Sequence, residues 1–179
     1  MTWEEIRSET LKLLEEYSEN YDELTDDEDI ANKIIPATNK ILFELARFKK
    51  ITAYEQREVS ENEILDLKTL DSFYQLKLIR GVDFDKVENF ATFKENGTAT
   101  IYYYKYPTLI TEDTDDDFEL ELDLDALNIA PTGIAGTILM TDISNQYGSV
   151  FLNRYEQMLS RLDNRNDVGS ITFEGGIDV

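Results

Sequence analysis

The chain has 179 residues, 41% of them apolar and 31% charged, which is enough for one folded domain spanning residues 1–179. Its 38 acidic and 17 basic residues give a net charge of −21, which argues against a duplex-DNA binder because such affinity depends on Lys and Arg neutralising phosphates. It contains neither Cys nor His, so disulfides, thiolate nucleophiles and His-dependent triads are excluded.

The first fifty residues predict two helices. Apolar residues recur at helical spacing from Trp3 to Leu24, so the first helix is amphipathic. The stretch from Thr25 to Glu28 has the form of a capping box, which predicts that the second helix begins there. Its buried stripe runs from Ile30 to Phe48, and Pro36 is predicted to bend or interrupt it.

Residues 51–123 predict a β subdomain, because the apolar period changes from helical toward two. The strand-like runs are Ile51–Val59, Phe73–Ile79, Val87–Lys94, Thr98–Tyr106 and Phe118–Leu122. Asn96 and Gly97 favour a two-residue hairpin turn, since both central positions of a type I′ turn need positive φ. The last run alternates cleanly, which predicts one buried face and one exposed face.

Helical patterns return from Asp125 to about Ile143 and again from about Asn145 to Leu162. Pro131 is typical of a helix start, and the small residues from Ala130 to Gly136 leave room for close packing. Beyond them, residues 164–179 form a candidate extended arm that adds to a sheet edge of a partner. The alternative is that this arm folds back on its own chain or frays. Its proposed partner-binding residues are Ile171, Phe173, Ile177 and Val179.

The summed pattern predicts an α+β fold built on a four-helix bundle. Two helical hairpins, at residues 1–50 and 124–163, make the bundle, and the β subdomain at 51–123 is inserted between them. The arm at 164–179 completes the chain. No signal peptide or membrane-spanning run is apparent, so no membrane partner is expected.

Several local motifs have simpler explanations than binding sites. A calcium loop starting at Asp113 would need Gly and Glu where the chain has Phe118 and Leu124, so a solvated acidic linker is the better interpretation. The tyrosines from Tyr102 to Tyr106 could stack nucleic-acid bases, but only Lys105 is near in sequence, so strand packing is favoured. The same holds for Tyr147, Arg154 and Tyr155, whose helical spacing favours a core or a subunit interface over a binding patch.

The order of elements resembles the head-to-tail connector (adaptor) proteins of tailed bacteriophages, which join the portal ring to the tail. The resemblance covers most of residues 1–163 and consists of residue types in order rather than a diagnostic motif. The residues that carry it are Asn32, Ile35, Asn39, Ile41, Leu45, the run Ile101–Pro107, Thr111 and the acids up to Leu122, Gly133–Asp142, and Phe151–Leu159.

This resemblance implies a structural protein rather than an enzyme, without cofactors. It implies that the chain is made in the cytoplasm of the bacterial host and assembles with itself as a ring, typically a dodecamer, at the head–tail junction of the virion. The portal protein and tail or neck proteins would be its partners, and the arm would reach one of them. Genomic DNA would pass through the ring without specific binding.

An acidic channel wall agrees with that role, because it offers the duplex no counter-ion-releasing contact. No Lys or Arg occurs from Tyr106 to Asn153, and six acids of this stretch are the candidates for the wall. They are Asp113, Asp115, Asp116, Asp117, Glu119 and Glu121.

Two functions of other classes stay open at this stage. An acidic protein that mimics DNA and inhibits a DNA-binding protein fits the net charge equally well. Such a mimic needs charge spread at phosphate-like intervals, whereas this chain concentrates a block without Lys or Arg and keeps Arg47, Lys49, Lys50 and Arg57 together. A carboxylate enzyme that uses Mg²⁺ is the second alternative, although no acid spacing in the sequence predicts a geometry for the metal.

Overall fold

The computed structural model describes residues 1–15, 28–141 and 147–162. Its helices are α1 (Trp3–Glu15), α2 (Glu28–Phe48), the single-turn α3 (Leu124–Leu127), α4 (Ala130–Leu139) and α5 (Tyr147–Arg161). Its strands are β1 (Ile51–Val59), β2 (Ile64–Asp66), β3 (Phe73–Arg80), β4 (Phe84–Val87), β5 (Phe90–Phe93) and β6 (Gly97–Lys105). The expected mixture of helix and antiparallel sheet is thus confirmed.

Helix α4 is the centre of the helical part, because α1, α2 and α5 all pack against it. Eight of its ten residues are buried, as expected for a helix that is apolar on every side. Gly133 permits the close approach: a Cβ at this position would lie 2.8 Å from the Tyr155 ring on α5 and 3.0 Å from Ile41 on α2. Pro131 lies in the first turn of α4, as predicted.

The predicted four-helix bundle of two hairpins with an inserted β subdomain is wrong. Among the residues that the structure describes, α1 and α2 pack on α4 rather than closely on each other as a hairpin, and α4 and α5 form the closely packed consecutive pair. The predicted helix over 125–143 is divided into the short α3 and α4. The pattern of apolar residues shows which face of a helix is buried but not which helix covers it, and an all-apolar helix takes partners on every side.

The β part contains two three-stranded antiparallel sheets rather than one subdomain sheet. The first has the order β1-β6-β3, and the second has the order β2-β5-β4. Strands β5 and β6 lie in different sheets, so the predicted Asn96–Gly97 hairpin is wrong. The Asn96 side chain instead accepts a hydrogen bond from the Glu61 backbone N–H at 2.8 Å, which fixes the crossing between the sheets.

The tight hairpin of the second sheet connects β4 and β5 through Glu88 and Asn89, with Glu88 at a φ of 53°. The predicted Val87–Lys94 strand therefore contains the last residue of β4, the turn and the whole of β5. A positive φ at Glu is uncommon, so sequence preferences gave no signal for this turn.

Residues 118–122 do not form a strand of either sheet. Within the described ranges, their β pairing is limited to an isolated antiparallel bridge between Thr2 and Glu119. The predicted alternation of exposure is nevertheless confirmed, because Leu120 and Leu122 are buried while Glu119 and Glu121 are exposed. Helix α2 continues through Pro36, so the helix is not interrupted there, and the predicted bend at Pro36 stays a prediction.

The buried residues form two clusters, one among the helices and residues 110–122 and the other between the two sheets. The continuation of the first helix to Leu24, the capping box at Thr25–Glu28 and the arm at 164–179 with Ile171, Phe173, Ile177 and Val179 lie outside the described residues.

Candidate interaction surfaces

The first candidate surface is the acidic segment, which we define as residues 111–121. Its beginning is fastened to α2 by Asn39, whose side-chain amide donates to the carbonyl of Ile110 and accepts from its N–H, both at 2.8 Å. Ile110 itself is only 1% exposed. A buried backbone pair satisfied by one side chain holds the segment in a single position.

The middle of the acidic segment is fastened to the N-terminus of the chain. Trp3 N–H donates to the Phe118 carbonyl at 2.9 Å, Glu4 N–H donates to the Asp116 carbonyl at 3.0 Å, and Leu120 N–H donates to the Met1 carbonyl at 3.1 Å. Arg7 forms an ion pair of 2.9 Å with the Asp116 carboxylate. The segment is therefore a fixed surface rather than a free linker.

A capping box starts α1 and supports this junction. The Thr2 N–H donates to the Glu5 carboxylate at 2.9 Å, and the Glu5 N–H donates to the Thr2 hydroxyl at 3.3 Å. This capping box was not predicted, although Thr-Trp-Glu-Glu at residues 2–5 has the same form as the motif recognised at residues 25–28.

Glu121 fastens the end of the acidic segment to β6. Its carboxylate forms an ion pair of 2.5 Å with Lys105 and accepts from the Thr108 N–H at 2.9 Å. Burial alone would raise the pKa of Glu121, but the hydrogen bonds and charge of Lys105 and the Thr108 donors outweigh burial and lower it. Glu121 therefore stays ionised.

These contacts divide the six predicted wall acids into two groups. Asp116 and Glu121 are paired with Arg7 and Lys105, and so they serve the internal structure of the segment. Within the part of the chain that the structure describes, the other four carboxylates are exposed and have no ion-pair partner. They are Asp113, Asp115, Asp117 and Glu119.

The second candidate surface lies on the β1-β6-β3 sheet, on the face turned away from its buried cluster. Strand β6 buries Ala99, Ile101 and Tyr103, so Tyr102 and Tyr104 lie on the opposite face. Tyr54 of β1 is paired with Tyr102 in register and is 70% exposed. We call this surface the tyrosine face, and its members are Tyr54, Tyr102, Tyr104, Lys50, Lys77 and Arg80.

The cations of the tyrosine face lie over its rings. Lys50 Nζ and Lys77 Nζ are 4.7 Å and 5.5 Å from the Tyr104 ring centre, and Arg80 Cζ is 5.7 Å from that of Tyr102. Sequence reasoning considered only Lys105 as a nearby base. It missed these cations because strand pairing, which brings residues 50, 77 and 80 to Tyr102 and Tyr104, is not visible in local sequence.

A groove of about 740 Å³ lies where β6 meets α2. Phe43 stacks on Tyr106 with ring centres 5.5 Å apart, and Tyr74 is tilted against Tyr106 at 5.1 Å. Lys40, Arg47 and one acid, Glu44, of α2 line the same groove. The neighbourhood of the tyrosine face is therefore basic and aromatic, in contrast to the acidity of the whole chain.

Tyr155 is part of the core rather than of a binding patch. It is 2% exposed, and its hydroxyl forms no hydrogen bond of ordinary geometry among the described residues, although it lies close enough to the Glu44 carboxylate for that group to act on its pKa. Burial, and next the negative charge of Glu44, raise the pKa of this phenol far above its ordinary value. This confirms the expected core role of Tyr155, while Arg154 of the same helix is exposed.

Within residues 1–15, 28–141 and 147–162, no group of three or more acidic side chains is arranged to hold a metal ion. None of the helices in these ranges is both long enough and apolar enough to cross a membrane. No protein-family model matches the sequence, and no curated protein matches it either.

Proposed function

We propose that the chain is a structural connector of a tailed bacteriophage, forming a ring between portal and tail at the head–tail junction of the virion. Duplex DNA passes through the ring without specific binding. The proposal takes its starting point from the order of elements and from the connector-like residues of the sequence. It does not depend on the four-helix bundle, which the structure replaces with three helices around α4.

The observation that carries the proposal is the anchored acidic segment. Its backbone is tied to α2, to the N-terminal residues and to β6, so its free carboxylates are presented from a fixed surface. Because a fixed acidic surface offers phosphates no counter-ion-releasing partner, duplex DNA can slide past it. We retain Glu119 for the channel wall and add Glu112, which is also exposed in the same segment.

The test is capture of partners by the tagged full-length chain from phage-producing cells, followed by reconstitution with the captured protein. A portal or tail protein, with ring-shaped particles on mixing, supports the connector. A nuclease or repressor in its place replaces the connector with the DNA-mimic inhibitor, which the same net charge would serve. As a matched control, the exposed acids Glu61 and Glu88 of the β part are replaced by Gln, and capture should be unchanged.

A further inference from the structure

The tyrosine face carries positive charge that the chain itself does not neutralise. Lys50, Lys77 and Arg80 have no ion-pair partner among the described residues, although the chain contains 38 acidic residues. The rings of Tyr102 and Tyr104 hold these cations in place. An ordered group of unpaired cations is a complementary surface for an anionic partner.

The arrangement of the rings favours carboxylates over nucleic-acid bases. Platforms that bind single strands need free ring faces on which bases can stack. Here Lys50 and Lys77 lie over Tyr104, while Arg80 and the tilted ring of Tyr54 lie against Tyr102. The net charge of −21 also repels a nucleic-acid polyanion at long range.

The same chain carries a matching anionic surface. Asp113, Asp115 and Asp117 are exposed on the acidic segment and have no ion-pair partner in the described ranges. Both surfaces are fixed by their own contacts, and no hydrogen bond or ion pair joins them among the described residues. One copy therefore does not neutralise its own cations with these acids, whereas a second copy can.

We propose that copies of this chain associate head to tail, with Asp113, Asp115 and Asp117 of one copy docked on the tyrosine face of the next. When two copies are joined by two different surfaces, one acidic segment and one tyrosine face of the pair stay free. Further copies can bind to these surfaces, so the assembly grows into a closed ring or an open filament. Closure of the assembly into a ring, rather than growth into a filament, rests on the proposed function. The head-to-tail arrangement assigns these three acids to the contact between copies and leaves Glu112 and Glu119 for the channel wall.

The contact should be weak and sensitive to salt. An exposed ion pair changes an equilibrium by about 1.4- to 5-fold, so three pairs contribute from about 3-fold to about 100-fold in affinity. Screening at high ionic strength removes most of this contribution. The remaining negative charge of the two copies opposes association at low salt and sets an optimum at intermediate salt.

The experiment uses two neutral variants of the full-length chain. The face variant is Lys50→Gln/Lys77→Gln/Arg80→Gln, and the segment variant is Asp113→Asn/Asp115→Asn/Asp117→Asn. Sedimentation velocity over a range of concentrations and salt measures self-association. Each variant alone should associate at least about threefold more weakly than the wild type. An equal mixture should form heterodimers and nothing larger, since only one intact contact can form in each mixed pair.

Matched variants control for the loss of charge alone. They are Lys12→Gln/Lys68→Gln/Lys86→Gln for the cations and Glu61→Gln/Asp83→Asn/Glu88→Gln for the acids, all of them exposed residues. Both should associate like the wild type. Circular dichroism and urea unfolding of each variant distinguish lost contact from lost folding.

A second measurement applies if the chain assembles only when it is bound to the portal protein. Carbodiimide treatment of the portal complex, with copies of two isotopic compositions mixed, should join Lys50 or Lys77 to Asp113, Asp115 or Asp117 between copies. The proposed contact is wrong if the wild type and the face variant associate with equal affinity. It is also wrong if neither sedimentation of the free chain nor cross-linking of the portal complex detects it. Binding of a single-stranded oligonucleotide that the face variant loses would assign the face to nucleic acid instead.

The two proposals fail separately. If the portal protein is captured but the face and segment variants associate like the wild type, the connector proposal holds and the proposed contact is wrong. If the two variants form heterodimers with each other but no portal or tail protein is captured, the proposed contact holds and the connector proposal is wrong.

Discussion

At the residue scale, Tyr155 links the helical core to the ionisation of a single group. Its ring packs on Gly133 of α4, and its hydroxyl is buried beside Glu44 without a hydrogen bond of ordinary geometry among the described residues. A buried hydroxyl without a partner costs stability, because its hydration is lost and not replaced. The buried ring of Tyr155 therefore stabilises the fold, whereas its buried hydroxyl destabilises the fold.

Tyr155→Phe should therefore leave the free energy of unfolding at pH 7 unchanged or raise it by about 1 kcal/mol. The pKa of Tyr155 is raised in the fold, so above the ordinary phenol value of about 10 the unfolded chain loses its proton first. Wild-type stability should then fall relative to Tyr155→Phe by about 1.4 kcal/mol for each further pH unit. Urea unfolding of both proteins between pH 7 and pH 11 measures this difference.

The exposed Tyr54 provides the control, since Tyr54→Phe should change little at either pH. A wild type that is clearly more stable than Tyr155→Phe at pH 7 would mean that the hydroxyl does have a partner.

Gly133 is the second residue at which packing outweighs local preference. Alanine would favour the helix by about 0.5 to 1 kcal/mol, but its Cβ would lie 2.8 Å from the buried Tyr155 ring. Overpacking of this kind costs about 1 to 3 kcal/mol, so Gly133→Ala should destabilise the protein by about 1 to 2 kcal/mol in urea unfolding. Ser160→Ala, on the exposed side of α5, should be close to neutral, and equal stability of Gly133→Ala would contradict the tight packing.

At the scale of elements, the position of the acidic segment depends on its junctions with α1, α2 and β6. The Asn39 junction joins residues 71 positions apart, and the backbone bonds of Trp3 and Glu4 join the first residues to the segment. Because these bonds come from three separate elements, the segment holds its place only when the whole helical part is folded.

Asn39→Ala should remove both bonds to Ile110 and leave its buried backbone groups unsatisfied. The expected loss is about 1 to 3 kcal/mol in the free energy of unfolding, together with faster amide exchange at Ile110. Asn32→Ala is a matched control, because Asn32 is exposed on the same helix. Equal losses for the two variants would show that the effect comes from helix preference and not from the junction.

At the scale of the whole molecule, charge is divided unevenly. The chain has a net charge of −21, yet the tyrosine face and the neighbouring groove collect Lys40, Arg47, Lys50, Lys77 and Arg80. The acidic segment and this basic region are therefore two distinct electrostatic surfaces. Net charge by itself describes neither of them.

The channel-wall proposal predicts an effect of charge reversal on DNA. Glu112→Lys/Glu119→Lys should bind duplex DNA in a salt-dependent manner, whereas the wild type should not, because the new cations release counter-ions from phosphates. Fluorescence anisotropy with a labelled duplex measures this, and slower genome release is expected in assembled particles. Glu61→Lys/Glu88→Lys, which carries the same charge change on the β part, should leave genome release normal. Equal release rates for both double variants would remove these acids from the wall.

Local sequence predicted the structure correctly where the structure depends on the residues of a single element. It predicted β1 over Ile51–Val59 as observed, the start of α4 near Pro131, and the alternating burial of residues 118–122. These features depend on side-chain period and on the fixed φ of Pro, which act within a few residues. The Asn96–Gly97 hairpin failed for a related reason, since turn preference is weaker than the pairing of β6 with β1 and β3.

The sequence by itself determined the acidity of the chain, the absence of Cys and His chemistry, and the apolar face of most elements. Only the tertiary structure decided that α4 lies among three helices, that six strands divide into two sheets, and that Asp116 and Glu121 are paired inward. It also brought Lys50, Lys77 and Arg80 to the tyrosines. The physical reason is that period and composition act locally, whereas pairing between distant segments depends on their mutual fit and on the entropy of closing the chain between them.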